Sequence, residues 1–129
     1  SAASAYPTAP CSTSAMARAS RWASSRIFSA IFCPSATSGL TTLEYESGCI
    51  QDLQRLFDEI ISPNREYAHN ARWGDGNGHS HIRAALLGPS LTIPFIDQKL
   101  TLGTWQQIIF VDFDTRSRRR NLVIQLIGE

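Results

Sequence analysis

Three histidines, His69, His79 and His81, fall within thirteen residues of one another, beside Asp75 and Asn77. Histidine is the commonest metal-binding side chain, and three of them leave a fourth position open for water or substrate. The plain alternative is three imidazoles solvated or satisfied on a polar loop. Backbone geometry bears on the choice. An H-x-H pair points one way on a strand, but on a helix the two side chains are about 200° apart. If a helix begins at His79, only one of the pair can face a site, unless His79 still has cap geometry. Glu44 and Glu46 follow the threonine-rich turn of Thr37, Thr41 and Thr42. Alternate residues share a strand face, so these carboxylates can point together, with Glu44 the candidate acid/base or metal ligand. Two solvated carboxylates are the other outcome. Asp75 is either a cap or turn residue of its glycine-rich loop or a second carboxylate of the site. Gly88-Pro89-Ser90 and Gly103-Thr104-Trp105-Gln106-Gln107 bring hydroxyls, amides and backbone N–H groups to strand starts, where they suit a phosphate or another small polar ligand. Strand-entry turns account for them equally well. The Arg118-Arg119-Arg120 run reads as a solvated hairpin end, or as a phosphate contact across a subunit boundary.

The elements that must hold these residues follow from periodicity and punctuation. Ile27 to Cys33 is β-branched and aromatic, a buried strand that Pro34 ends. A small-residue loop leads into extended chain from Leu40 to Tyr45. Ser47 is the candidate N-cap of the strongest helix, whose Ile50, Leu53, Leu56, Phe57, Ile60 and Ile61 form one apolar stripe. Ser62-Pro63-Asn64 stops it. Arg72 to Gly78 is too rich in glycine for regular structure. A short helix from about His79 to Leu87 follows, with Asn77 near its start, Ile82, Ala85 and Leu86 as its buried face, and Gly88-Pro89 as its end. Leu91–Ile96 and Lys99–Leu102 flank Asp97-Gln98 as a hairpin, with Pro94 marking an edge or bulge. Trp105–Asp114 and Asn121–Ile127 are expected to pair across the arginine loop, and weak alternation in the first suggests cover on both its faces. The fold class predicted is α+β, a mostly antiparallel or mixed sheet packed with two helices.

Totals set the outer bounds. The chain has 129 residues, 43% hydrophobic and 18% charged, with net charge +1. It suits one ordinary globular domain and makes a poor general polyanion binder. No nucleic-acid partner is expected. No apolar run of transmembrane length occurs in the sequence. Three cysteines, Cys11, Cys33 and Cys49, without C-x-x-C spacing read as small buried apolar residues in a reducing cytoplasm. The charge is unevenly placed: every Asp and Glu lies at or beyond Glu44. Residues 1–26 form an atypical Ser/Ala-rich segment. They read as a poorly ordered tail, a superficial transit-peptide match, or sequence translated out of frame in a GC-rich gene. Residues 27–129 form the domain.

Four blocks carry a resemblance. T-S-G-L-T-T-L-E-Y-E (37–46), Y-A-H-N (67–70), D-G-N-G-H-S-H-I-R-A-A-L-L-G-P-S (75–90) and L-G-T-W-Q-Q (102–107) are similar, in order and spacing, to the YjbQ family. Its members are called secondary thiamine-phosphate synthase enzymes, and many are merely uncharacterised. The resemblance implies an α+β fold, a homotrimer, and a histidine-lined pocket able to hold a divalent metal, zinc favoured, or an anion. The associated side activity joins a pyrimidine diphosphate to a thiazole phosphate. By position His69 matches the family's Y-x-H histidine and His81 its histidine before L/I-K/R-A. Glu44 matches the acid after the threonine-rich turn, and Trp105 and Gln106 match their block. Two departures stand out. Familiar members have P-H-T-T where this chain has Pro34-Ser35-Ala36-Thr37, and His79 is extra. The expectation is that His79 replaces the missing ligand. The predicted site is thus His69, His79 and His81 on a metal, Glu44 and His81 as catalytic groups, and Thr41, Asn77, Ser90, Trp105 and Gln106 around a small phosphorylated metabolite. The alternative is a non-catalytic trimer that binds a metabolite or metal, or a structural oligomer with incidental histidines.

Overall fold

The computed structural model describes residues 27–128, so the segment 1–26 set apart above lies outside the described residues. Six strands and three helices follow one another as β1 (Phe28–Phe32), β2 (Ser38–Leu43), α1 (Ser47–Ile60), α2 (Ala68–Trp73), α3 (Gly78–Leu87), β3 (Ser90–Ile96), β4 (Lys99–Leu100), β5 (Gln107–Asp112) and β6 (Val123–Ile127). Every strand pair is antiparallel. One sheet has the order β4-β3-β1-β6 and a second consists of β2 and β5. The α+β class predicted from sequence is therefore observed, with one helix more than expected.

β1 buries alternate residues, Ser29 and Ile31, as a strand with one covered face should. Ile31, Cys33 and Leu40 form the centre of the core, with Leu91 and Ile108 packed against them. Cys33 is fully buried and Cys49 partly so, both as free thiols, which fits the expectation of cysteine as a small apolar residue. The β3–β4 hairpin turns on Asp97 and Gln98, both at positive φ (49° and 62°), as a two-residue type I′ turn demands. Pro94 costs the β1 ladder nothing, because the neighbouring Phe95 N–H donates to the Ile27 carbonyl at 2.8 Å.

Several sequence expectations need correction. β5 and β6 do not pair with each other: β5 joins β2 and β6 joins β1, in different sheets. The arginine-bearing segment between them is too long for a tight hairpin, and Arg120 ties it instead to Asp112, Asp114 and Thr37. Nor does β5 have both faces covered, since Ile109 is buried and Phe110 exposed. On α1 the cap is Glu46, not Ser47. Its carboxylate accepts the N–H groups of Gly48 (2.8 Å) and Cys49, satisfying donors that the first turn leaves free. Of the apolar stripe on α1, Phe57 and Ile61 are buried while Ile50, Leu56 and Ile60 stay exposed. On α3 the predicted buried face is the wrong one. Ile82, Ala85 and Leu86 face outward, and the covered residues are His79, Ser80, Arg83 and Ala84.

The reason lies in how α3 is fastened. Polar groups of the helix, not its isoleucine and leucine, find partners on the inner side. A Cβ on Gly39 would stand 2.7 Å from the Gly88 carbonyl oxygen, so β2 and the end of α3 approach backbone to backbone. The Leu40 N–H donates to that same carbonyl at 3.0 Å. Ser80 Oγ donates to the Phe113 carbonyl at 2.5 Å, and the Phe113 N–H donates to Thr37. Buried Arg83 reaches α1, donating to the carbonyls of Ile61 (2.7 Å) and Phe57 (3.2 Å) and to Asp58 Oδ1 (2.8 Å). The Phe57 carbonyl also accepts the Ile61 N–H that closes α1, so Arg83 grips the chain where that helix ends. Arg83→Met keeps the stem and removes the donors, leaving the buried Ile61 carbonyl without them. It is expected to lower unfolding stability by about 2–4 kcal/mol. Denaturant unfolding checks this, and a loss below about 0.5 kcal/mol, the size of an ordinary surface change, would show that Arg83 does not hold α1 to α3.

Candidate functional site

α2 was not anticipated, and it carries His69. Six residues are too few for a helical period to register, but the stop was legible: Gly74 takes the left-handed conformation (φ 65°) that ends a helix, after Arg72 in its last turn. Gly76 is also left-handed, and between the two glycines the chain turns so that Asp75 projects back toward α2. Asp75 Oδ1 accepts the Asn77 N–H at 3.1 Å, while Oδ2 lies 3.2 Å from His69 Nε2. The Asn77 N–H, assisted by His69 and opposed by desolvation, holds the Asp75 carboxyl below the ordinary carboxylate range.

His81 completes the group from the first turns of α3. Its ring centroid is 4.5 Å from that of His69. One ligand atom from each of His69, Asp75 and His81 lies within 4.8 Å of the others. His81 Nδ1 is 3.1 Å from the Ala36 carbonyl. A carbonyl can only accept, so Nδ1 carries the proton and Nε2 keeps its lone pair. Fixing one ring nitrogen on a backbone carbonyl is the usual way a metal-ligating histidine is held in one tautomer. Two imidazoles and a carboxylate make a donor set that zinc accepts, with a fourth position left for a further ligand.

His79 does not join them. α3 begins at Gly78, so His79 and His81 are both helical and diverge. The His79 ring is buried beside Tyr67, with Nε2 3.3 Å from Ser80 Oγ and Nδ1 without a hydrogen-bond partner of good geometry. Burial, then the charge of Arg83, lowers its pKa. The expectation that His79 replaces the absent histidine is thereby corrected. The third donor that stands beside His69 and His81 is Asp75.

The remaining predicted residues divide between places. Asn77 sits at the cluster, but its Oδ1 accepts the Thr115 N–H (3.4 Å). Glu44, Trp105 and Gln106 lie at the opposite end of β2. There Gln106 Nε2 donates to Thr42 Oγ1 at 2.9 Å, and the Tyr45 N–H donates to Gln107 Oε1. Six residues of strand, about 20 Å, separate that end from Ala36 and His81. Thr41, opposite Ile109 in the ladder, lies between, and Ser90 begins β3 beyond the far end of α3. Within one chain, then, Glu44, Thr41, Ser90, Trp105 and Gln106 do not surround the histidines. Glu46 is engaged in capping.

Sequence reading missed the support of the cluster. Asp114, buried at 4% side-chain exposure, accepts from Thr37 Oγ1 (3.0 Å), Arg120 (2.9 Å) and Arg118 (3.3 Å). Arg120 also grips Asp112 through two bonds of 2.8 and 3.0 Å. This network anchors the loop carrying Arg116, Arg118 and Arg119 next to Thr37, one residue from the carbonyl that holds His81. The D-x-D spacing ahead of an arginine run was its only signal.

A small α+β protein with two antiparallel sheets and an exposed His-Asp-His donor cluster at the start of a helix is the class these observations define. The family model described as UPF0047 protein YjbQ-like matches residues 15–129, and the chain belongs to that family. A UPF0047 protein of Archaeoglobus fulgidus is 34% identical over 93 residues, 72% of each chain. One of Methanothermobacter thermautotrophicus is 38% identical over 90 residues, covering 70% of this chain and 62% of the relative. Among solved structures, a YbjQ-like protein of unknown function from Sulfolobus solfataricus superposes with a TM-score of 0.76 at 30% identity, over 81% of this chain and 75% of that one. An uncharacterised yjbq/upf0047 protein from Clostridium acetobutylicum gives 0.70 at 30% identity, over 86% and 83%.

The Asp114 network has a measurable consequence. Burial would raise its carboxyl pKa, but the Arg116 N–H, the Thr37 hydroxyl and the Arg120 and Arg118 guanidinium groups outweigh it and hold the value at about 2, against 3.8 unperturbed. A carboxyl with a depressed folded-state pKa stabilises above its unfolded value and loses that contribution as pH falls toward the folded one. Stability should therefore fall by up to about 2 kcal/mol from this group between roughly pH 4 and pH 2. Asp114→Asn should already lack it at neutral pH and show a flatter acid limb. Urea unfolding at stepped pH measures both, and an unchanged acid limb in the variant would refute the assignment.

Proposed function

We propose that this protein binds a divalent cation, zinc favoured, through His69, Asp75 and His81, and uses it to engage a small phosphorylated metabolite. The observation that carries this reading is the convergence of three donor atoms within 4.8 Å, with His81 fixed through Nδ1 on the Ala36 carbonyl. A cation held there would supply charge neutralisation for a phosphate group. The chain's own part is positional. Asp75 and His69 orient one another, Asn77 fixes the Asp75 loop and the Thr115 backbone together, and the anchored loop stations Arg116, Arg118 and Arg119 nearby. Those exposed guanidinium groups suit a phosphate's charge and geometry.

Group transfer of the thiamine-phosphate synthase kind is the reaction we assign to the site; within one chain Glu44, Gln106 and Ser90 lie too far from the cluster to serve it. A homotrimer is the assembly proposed, supported by the outward apolar face of α3 (Ile82 51% and Leu86 63% exposed) and by the exposed Val123, Ile124, Leu126 and Ile127 of β6. The free thiols Cys33 and Cys49 suit a reducing cytoplasm. Among the described residues no helix is long and apolar enough to cross a membrane. One observation favours a second reading. Glu44 stands about 20 Å from the cluster in its own chain, which suits a non-catalytic metal- or metabolite-binding oligomer. Turnover of a phosphorylated substrate by the zinc-loaded protein separates the two.

Zinc titration against a chromophoric chelator tests the shared part. The wild type should bind about one zinc per chain. His69→Ala and His81→Ala should each weaken binding by about tenfold or more, whereas His79→Gln should leave it within about twofold. No zinc binding by the wild type, or an equal loss from all three variants, would refute the site.

A further inference from the structure

The two halves of the predicted site lie at opposite ends of β2, and each half is incomplete. The cluster end offers three donors, all reachable from solvent, and no fourth protein donor among the described residues. The other end offers Glu44, exposed and with no hydrogen bond or ion pair assigned to its side chain, beside Gln106 and a largely exposed Trp105 (71%) and Tyr45 (68%). From these observations we infer that the site is composite, the Glu44–Trp105–Gln106 end of one copy seating on the His69–Asp75–His81 end of the next. The inference rests on the cation reading above and adds to it the identity of the fourth donor, the Glu44 carboxylate of the adjoining copy.

Three features of the surface fit a second copy of this chain as the occupant. The ends are opposite in charge. Glu44 and Glu46 stand at one; at the other Asp112 and Asp114 are balanced by Arg118 and Arg120, and Arg116, Arg119 and a bound cation outweigh Asp75, so like ends repel and unlike ends attract. Both ends also carry large apolar side chains in water. Trp73 closes α2 and Ile82 follows His81 at the cluster end, while Tyr45 and Trp105 sit at the acidic end. Burying aromatic anchors of this kind is what stabilises a contact between protein surfaces. Finally, joining one end to the different end of a neighbour is a heterologous contact. Such contacts repeat around a ring until it closes, and in a closed ring every cluster receives a carboxylate. The arrangement explains why Glu44 and Gln106 can belong to one site with His81 although the strand holds them far apart.

Complementation between two defective chains tests this directly, with zinc alone as the probe. His81→Ala lacks a cluster ligand but retains Glu44; Glu44→Ala has the reverse defect. Wild type should sediment as an oligomer, and each variant alone should bind zinc about tenfold or more weakly. After mixing and subunit exchange, some sites join an intact cluster to an intact Glu44. A fraction of high-affinity zinc sites should then return, while circular dichroism of each variant reports that it is folded. Variants that remain weak after verified exchange, a monomeric wild type, or a Glu44→Ala chain with wild-type zinc affinity would each overturn the composite site. In the last case wild-type zinc binding would still stand, and with it the cation reading. Absence of zinc binding by the wild type would overturn both. As a second arm, Glu44→Arg/Glu46→Arg and Arg116→Glu/Arg118→Glu should each disperse the oligomer, and the chain combining all four should reassemble. Failure of the combined chain to reassemble while each pair disperses would remove the charge argument for the head-to-tail contact.

Discussion

The candidate site depends on the seating of α3 along β2. The contact is backbone against backbone, because Gly39 offers no side chain where the Gly88 carbonyl passes. Close approach lets polar groups at successive levels of the helix find fixed partners: His81 on Ala36, Ser80 on Phe113, and the Gly88 carbonyl on the Leu40 N–H. One turn further, Arg83 carries the same helix onto the carbonyls that end α1. A helix attached through hydrogen bonds has a defined rotation about its axis as well as a defined distance. Rotation is what decides whether His79 or His81 faces the cluster, so the fastening of α3 selects the site residue.

This also explains which parts of the structure were legible in the sequence. Strand β1, the end of α1 before Pro63, the end of α3 at Gly88 and the Asp97-Gln98 hairpin each have a local cause and were read correctly, whereas β2 runs two residues ahead of the stretch expected and α3 starts one residue earlier. Strand pairing and helix facing are not local. Apolar periodicity assigned Ile82 and Leu86 to the interior, on the rule that a helix buries its apolar stripe. In α3 the inner side is polar because it is hydrogen-bonded, and the apolar side is left outward. The partnership of β5 with β2 was hidden for a similar reason. Its determinants are Asp114 and Arg120, which reach Thr37 across 77 and 83 residues, and Asp112, which holds Arg120.

The candidate site was legible as chemistry and not as geometry. Clustering of His69 and His81 around a glycine-rich loop pointed to the segment where the donors converge, and H-x-H spacing on a helix limited His79 and His81 to one facing it. What no spacing rule conveyed was the role of Asp75. Its function as a turn residue and its function as a donor were weighed as alternatives, and the structure uses both at once. One carboxylate oxygen closes the turn on the Asn77 N–H and the other meets His69. Sharing of this kind is possible because a carboxylate has two oxygens with about four lone-pair sites between them, whereas an imidazole in the same place would have one nitrogen to spend.

Replacing a third imidazole by Asp75 alters the electrostatics of the cluster. Three neutral imidazoles would leave the charge of a dication fully exposed to its next ligand, whereas His69, His81 and an ionised Asp75 cancel one unit of it. The Asn77 N–H favours that ionised form, lowering the Asp75 pKa. Two histidines with one carboxylate is a set used both by catalytic zinc, with one position open, and by non-haem iron(II), with several. The number of open positions separates these choices. A carboxylate arriving from outside the cluster would fill one of them and leave a four-coordinate ion without a vacancy, whereas a five- or six-coordinate ion would retain room for a phosphate oxygen. The donor that completes the cluster therefore bears on whether an ion held there could touch a substrate or would serve to hold two surfaces together.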